Sequence, residues 1–306
     1  LYITLQVNAE VANKNCQFWT LGRDIASPRI GVNLRRTMQM RRWDGILQLS
    51  DPNVISLQGQ IPWLEQYFDQ IIHTGFQVEG HDPSAKLKED KKPILVNLGS
   101  SEKGARASSI TGFILDKLLQ ARESAFRSSK YSHIAEYDFA IILPDQMSES
   151  DISKLSQIAN SQNQSLPGKV KFTGIVSDHQ KYADLVFNSA LRITRGGFSL
   201  LESLVWGVPT LAIPMNSFSE KQDDKANTKS EQWKRAIALR GVYGNRLQTL
   251  SLNQLGDLNR ILRPIDMALQ ARNTDLPDIQ INGLANAAEV LTQELSRGVS
   301  SGRGYR

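Results

Sequence analysis

The run Arg192-Ile193-Thr194-Arg195-Gly196-Gly197-Phe198-Ser199-Leu200-Leu201-Glu202-Ser203-Leu204-Val205-Trp206-Gly207-Val208-Pro209 holds the sharpest chemical signal in this chain. It reads as a strand, a two-glycine turn and a helix. Paired glycines let the backbone come close to a ligand. The helix behind them offers N–H groups without internal partners at the positive end of its dipole, so the turn suits an anion such as phosphate. Ser199 is placed either to cap the helix or to bond a phosphate oxygen. Glu202, three residues on, has two readings: it closes a capping box with Ser199, or it reaches past a bound phosphate to hydroxyl donors. On these residues alone, a plain strand-to-helix turn with a capping box stands level with an anion site.

The elements that must position this turn alternate along the chain. Ile94-Leu95-Val96-Asn97-Leu98 is a short apolar run closed by Gly99-Ser100-Ser101, the pattern of a buried parallel strand. Ile110, Phe113, Ile114 and Leu118 then have the spacing of one helix face. Further strands are expected at Phe139 to Leu143, Val170 to Phe172, Leu191 to Ile193 and Thr210 to Ile213. Between them lie helices at Ile152 to Ile158, Asp178 to Asp184 and Ser199 to Trp206. A polar loop over 216–230 precedes a helix near 231–239, and Leu284, Ala287, Ala288, Leu291 and Leu295 space a last one. Strands alternating with helices predict an α/β fold with a parallel sheet covered on both faces.

The first 80 residues show strands at 1–7, 45–49 and 54–57, too few for a complete doubly wound domain. The chain opens without Met on an alternating apolar pattern, which reads as the middle of a larger domain. Residues 81–93 are charged and bracketed by prolines, as in a linker. The expected organisation is a partial N-terminal domain over 1–80, a linker over 81–93, a ligand-binding domain over 94–282, and over 283–306 a helix packing back on the N-terminal domain with a frayed tail.

The glycine-rich run resembles the donor-binding signature of GT-B nucleotide-sugar glycosyltransferases, in which a Gly-Gly pair, a Glu, Gly-x-Pro, an apolar strand ending in Pro and an acidic-Gln pair follow in order. Here these stand as Gly196-Gly197, Glu202, Gly207-Val208-Pro209, Leu211-Ala212-Ile213-Pro214 and Glu231-Gln232. The spacing agrees as far as Pro214. Leu98-Gly99-Ser100-Ser101-Glu102-Lys103-Gly104-Ala105-Arg106 is similar to the loop opening the donor domain of the bacterial lipid-linked N-acetylglucosaminyltransferases of peptidoglycan synthesis. Phe172-Thr173-Gly174-Ile175-Val176 resembles the segment that reads the nucleotide base.

The resemblance implies two Rossmann-like parallel-sheet domains facing a cleft, the N-terminal one incomplete here. It implies transfer of a sugar from a nucleoside-diphospho-sugar, a UDP-sugar, to a lipid-linked or small acceptor, with no cofactor. Glu202 would hold the ribose hydroxyls, and Gly196, Gly197 and Ser199 would lie at the diphosphate. Glu231 and Gln232 would contact the sugar, Gly174 and Ile175 the base, and Ser100 and Ser101 the cleft near the phosphates. Many members carry His where this chain has Arg195, which exchanges one cation for another beside the phosphates. The long loop before Glu231-Gln232 is a second departure.

Transfer with inversion needs a base for the acceptor proton. Asp24, Asp44, Asp51 and His73 are the titratable candidates before the linker, none within a motif, and no base is assigned. Arg35, Arg36, Arg41 and Arg42, interleaved with Met38, Met40 and Trp43, read either as a solvated ion-paired face or as a surface for anionic lipid head groups. Trp63, Tyr67 and Phe68 have helical spacing and read as core.

The chain has 306 residues, 36 basic against 31 acidic, and a net charge of +5, which suits an anionic partner. Aromatic residues make 7% and no recognition module is visible, so nucleic acid is not the expected partner. One cysteine, Cys16, excludes an internal disulfide, and four unclustered histidines give no expectation of a metal. No stretch reaches the roughly 18 apolar residues of a membrane span. The expected location is cytoplasmic, peripheral at the inner membrane face if the arginines meet lipid. Two other readings share the donor signature: a UDP-N-acetylglucosamine 2-epimerase type of enzyme, against which the scarcity of histidine counts, and a non-catalytic nucleotide-sugar-binding protein.

Overall fold

The computed structural model describes residues 3–5, 19–22, 43–56, 68–78, 92–99, 105–144, 147–214 and 230–300. The chain divides into two compact units, Leu1–Gly80 with Asp278–Arg306, and His81–Pro277. Arg35, Arg36, Arg41, Arg42, Cys16, Trp63, Tyr67, Ser100, Ser101 and most of the linker and of the 216–230 loop lie outside the described residues.

The first unit holds a four-stranded sheet in the order β1 (Ile3–Leu5), β2 (Trp19–Gly22), β3 (Trp43–Gln48), β4 (Phe68–His73). β2, β3 and β4 are parallel, and β1 pairs antiparallel with β2. The strand expected at 54–57 is instead a turn over its described part. The carbonyl of Asp51 accepts from Val54 and Ile55, and its side chain accepts from the Asn53 N–H at 2.8 Å. A short polar side chain folded onto its own backbone outcompetes the β-branched residues that follow. Phe68 begins a strand, not a helix.

The second unit is a six-stranded sheet, parallel throughout. Its strands are β5 (Ile94–Asn97), β6 (Phe139–Ile142), β7 (Val170–Thr173), β8 (Leu191–Thr194), β9 (Thr210–Ala212) and β10 (Leu247–Thr249). The helices are α1 (Ala105–Phe126), α2 (Glu149–Ser165), α3 (His179–Phe187), α4 (Phe198–Val205), α5 (Glu231–Tyr243) and α6 (Leu258–Gln270). Strand order is β10-β9-β8-β5-β6-β7. The chain builds outward from β5 through β6 and β7, then returns to the other side of β5 and builds outward again. This is the doubly wound order, and the step from β5 to β8 is its switch point, where the outgoing connections diverge and leave a crevice beyond the carboxyl ends of the strands.

Ile94, Val96, Leu191, Ile193 and Leu211 point from one sheet face into a core with α1, α2 and α6, while Leu95, Ile142 and Val208 meet α3 and Trp206 on the other. Ile114 and Leu118 of α1 are fully buried, but Phe113 is 45% exposed beneath the Lys117 ammonium, so the expected apolar face is narrower than its spacing implied. Asp178 and Ser230 cap α3 and α5, each accepting a backbone N–H three residues on.

The first unit is completed by α7 (Gly283–Ser300). Ala287, Val290 and Leu291 pack on Leu21, Leu47 and Ile72, whereas Leu284 is 47% exposed and outside this seam. The approach is held by Asp51 Oδ2, which accepts the Gln280 N–H at 2.8 Å, and by Asn286 Nδ2, which donates to the Thr74 carbonyl at 2.7 Å.

Candidate functional site

The Gly-Gly turn joins β8 to α4 at the switch point, beside the end of β5. Gly196 has φ +93°, and a Cβ built on it would stand 3.2 Å from the carbonyl oxygen of Gln232. Its neighbour is the N-cap of α4 at φ −73°, with no side-chain cap, and a Cβ there meets nothing within 4 Å among the described residues. The two glycines therefore differ in kind. Gly196 is required by backbone conformation and a tight contact, and Gly197 leaves open space in front of a helix start.

Ser199 lies inside α4 and is not its cap; its hydroxyl stands 3.3 Å from Thr194 Oγ1. The capping box expected of Ser199 with Glu202 is not made. Glu202 is a quarter exposed, and its Oε2 is buried, makes no hydrogen bond among the described residues, and lies 3.9 Å from Nη1 of Arg192.

Arg192 is the residue that sequence reasoning passed over. Its side chain is fully buried on the α3/α4 face of β8. Nη1 donates to the Ser199 carbonyl at 2.7 Å and to Ser203 Oγ at 2.6 Å, and Nη2 donates to the Tyr182 hydroxyl, over whose ring the guanidinium lies at 5.2 Å. Asn97 Nδ2, at the end of β5, donates to the same hydroxyl at 3.2 Å. Burial pushes the Arg192 guanidinium down to about 10 against the opposing pull of Glu202, so it stays cationic at neutral pH. A lone Arg in a run of apolar strand residues was the available signal, but its partners lie on other elements.

Tyr182 and Asn97 also line a pocket of about 90 Å³ with Gly99, Ile142, Leu143, Pro144, Ile175 and Val176. Ile175 is 39% exposed here, and a Cβ added to Gly174 would meet nothing within 4 Å among the described residues. Glu231 and Gln232 open α5, and Gln232 abuts Gly196 although the two are far apart in sequence. Arg235, one turn on, donates to the Gly196 carbonyl at 3.1 Å. Arg195 is buried. The fold thus gathers Gly196, Gly197, Ser199, Glu202 and Gln232 at the end of β8, and sets Ile175 on the pocket beside β5 and β6, with Gly174 next to it in the chain.

Of the candidate bases, Asp51 is buried with both carboxylate oxygens accepting backbone N–H groups, a structural role. His73 is half-buried with Nδ1 3.0 Å from Ser50 Oγ. The side chains of Asp24 and Asp44 lie outside the described residues.

No protein-family model matches this chain. No curated protein matches it by sequence. Solved structures do resemble it in fold. A glycosyltransferase of kitacinnamycin is 11% identical at TM-score 0.48, with 82% of this chain and 55% of that one covered. The glycosyltransferase SnogD from Streptomyces nogalater is 18% identical at TM-score 0.42, with 87% and 63% covered. A putative UDP-N-acetylglucosamine 2-epimerase from Listeria monocytogenes is 13% identical at TM-score 0.47, with 93% and 74% covered. The chain spans less than two thirds of the length of the first two.

Proposed function

We propose that this chain carries the donor site of a GT-B-type glycosyltransferase that takes a sugar from a nucleoside-diphospho-sugar, a UDP-sugar, and passes it to a hydroxyl acceptor. The observation that carries the reading is the arrangement at the β5/β8 switch point. An uncapped helix start follows a glycine pair, and a carboxylate whose side chain is a quarter exposed stands one turn into the same helix. The helix N–H groups suit the diphosphate, and Glu202, an acceptor with no donor of its own, suits the paired hydroxyls of ribose. The edge of Gly174-Ile175 suits the base, and Glu231-Gln232 the sugar hydroxyls. In the reaction the bond between sugar C1 and the diphosphate oxygen breaks as the acceptor oxygen bonds C1. The helix start stabilises the charge left on the nucleoside diphosphate. The acceptor proton passes to a base that is not assigned.

The resemblance of 98–106 to lipid-linked N-acetylglucosaminyltransferases, with the arginines at 35, 36, 41 and 42, supports a lipid-linked acceptor at an anionic surface. The donor reading expects UDP to raise the melting temperature of the wild type and not of Glu202→Ala, and UDP-sugar to release UDP when an acceptor extract is added. Absence of nucleotide stabilisation overturns the site. Formation of UDP-N-acetylmannosamine from UDP-N-acetylglucosamine overturns transfer in favour of epimerisation.

A further inference from the structure

Arg192 occupies a place that a parallel strand covered on both faces ordinarily gives to an apolar side chain, directly opposite Leu95 of β5 in register. A buried arginine is costly, and a well-packed apolar residue often replaces a buried ion pair without loss of stability. Stability alone is therefore a poor account of it. Among the described residues its side-chain hydrogen bonds run to α3 and α4, the helices behind the pocket and behind the glycine turn. Glu202 poses the complementary problem. Its carboxylate stands one turn from a helix start suited to phosphate, where two negative charges would repel, and its buried Oε2 has Arg192 as the cation within reach among the described residues.

We propose that Arg192 is a positioning residue of the donor site, holding the Glu202 carboxylate and the first turn of α4 so that a ribose diol and a diphosphate bind together. The inference rests on the donor reading above. The guanidinium sets a positive charge 3.9 Å from the Glu202 carboxylate. Its fixed fork clamps Ser199 and Ser203 on α4 and Tyr182 on α3, which fixes the cation that faces the Glu202 carboxylate at that distance. Lysine would keep the charge and lose the fork.

The test compares UDP with 2′,3′-dideoxy-UDP by titration calorimetry. Wild type is expected to prefer UDP by roughly tenfold or more, the ratio expected of hydrogen bonds to a charged acceptor. Glu202→Gln and Arg192→Met are each expected to bring that ratio near one, with Arg192→Lys between. Simple damage to the fold would weaken both ligands alike and leave the ratio standing. If Arg192→Met does not fold, Arg192→Lys carries the comparison. Wild-type selectivity in whichever of the two folds, with Glu202→Gln behaving as expected, overturns the positioning role alone. A wild type indifferent to the diol, or a Glu202→Gln variant that keeps the preference, overturns the donor reading and this proposal together.

Discussion

The guanidinium of Arg235 donates to the carbonyl oxygen of Gly196 across 3.1 Å, fastening the first turns of α5 to the glycine pair. The bond joins segments 39 positions apart and is buried, so the Gly196 carbonyl loses a partner if it is removed. Arg235→Met should lower stability by about 1–3 kcal/mol and weaken UDP binding as the turn loosens. Urea denaturation followed by circular dichroism reads the first effect. An unchanged midpoint would show that the bond holds nothing.

The two glycines of the turn should respond to alanine in opposite ways. Gly196→Ala forces a side chain into φ +93° against Gln232 and should destabilise the protein by about 1–3 kcal/mol. Gly197→Ala has φ −73° and open space, so its cost should be under about 1 kcal/mol, while the added methyl stands where a phosphate would approach. Nucleotide affinity should therefore fall for Gly197→Ala with little change in melting temperature. Equal effects of the two substitutions on stability would contradict the assignment.

In the first unit, a Cβ on Gly283 would lie 2.2 Å from the Gly75 carbonyl oxygen, an approach that backbone cannot relieve without moving. Gly283→Ala should detach the start of α7 from β3 and β4. Hydrogen exchange at Leu47 and Ile72 should quicken in that variant, and unaltered protection would refute the docking described.

Burial holds His73 below its ordinary value of 6.5, while Ser50 and Asp51 pull the other way. As pH falls the unfolded chain takes the proton first. The stability due to neutral His73 is thus whole above about pH 6.5, is lost below it, and stops falling once the folded form also protonates. Urea midpoints measured from about pH 7.5 down to about pH 5.5 should decline in the wild type and decline less in His73→Asn. Parallel slopes would rule His73 out as the cause.

The arginine cluster makes a prediction independent of the donor site. Sedimentation with anionic vesicles should fall as salt rises, and should be lost when Arg35, Arg36, Arg41 and Arg42 all become Ser. Binding that survives the fourfold substitution would assign the charge to a solvated face instead.

Much of the second unit was legible in the chain because its elements are local. Ile94-Leu95-Val96, Phe139-Ala140-Ile141-Ile142 and Thr210-Leu211-Ala212 carry apolar runs that a doubly covered sheet demands, and their alternation with helices implies the parallel topology. Two elements escaped. β10 is three residues on a sheet edge, too short for a pattern, and α6 contains Pro264, which ordinarily ends a helix but is carried here by Ile261, Leu262, Ile265 and Ala268 packing on the core. In the first unit the turn at Asp51 replaced an expected strand over its described part, because the local acceptors of Asp51 decided against the β propensity of Val54 and Ile55.

Residue type and spacing along the chain determined the glycine turn, the helix behind it and the carboxylate one turn in, since each depends on neighbours within a few residues. Whether Ser199 capped that helix, and whether Glu202 was committed to a cap, depended on where the chain entered α4, and the structure placed Gly197 there. Only tertiary structure could bring Gln232 and Arg235 to Gly196, or Tyr182 and Glu202 to Arg192. The physical reason is that a buried cation is defined by partners from separate elements, which meet only when the sheet and its covering helices have closed around it.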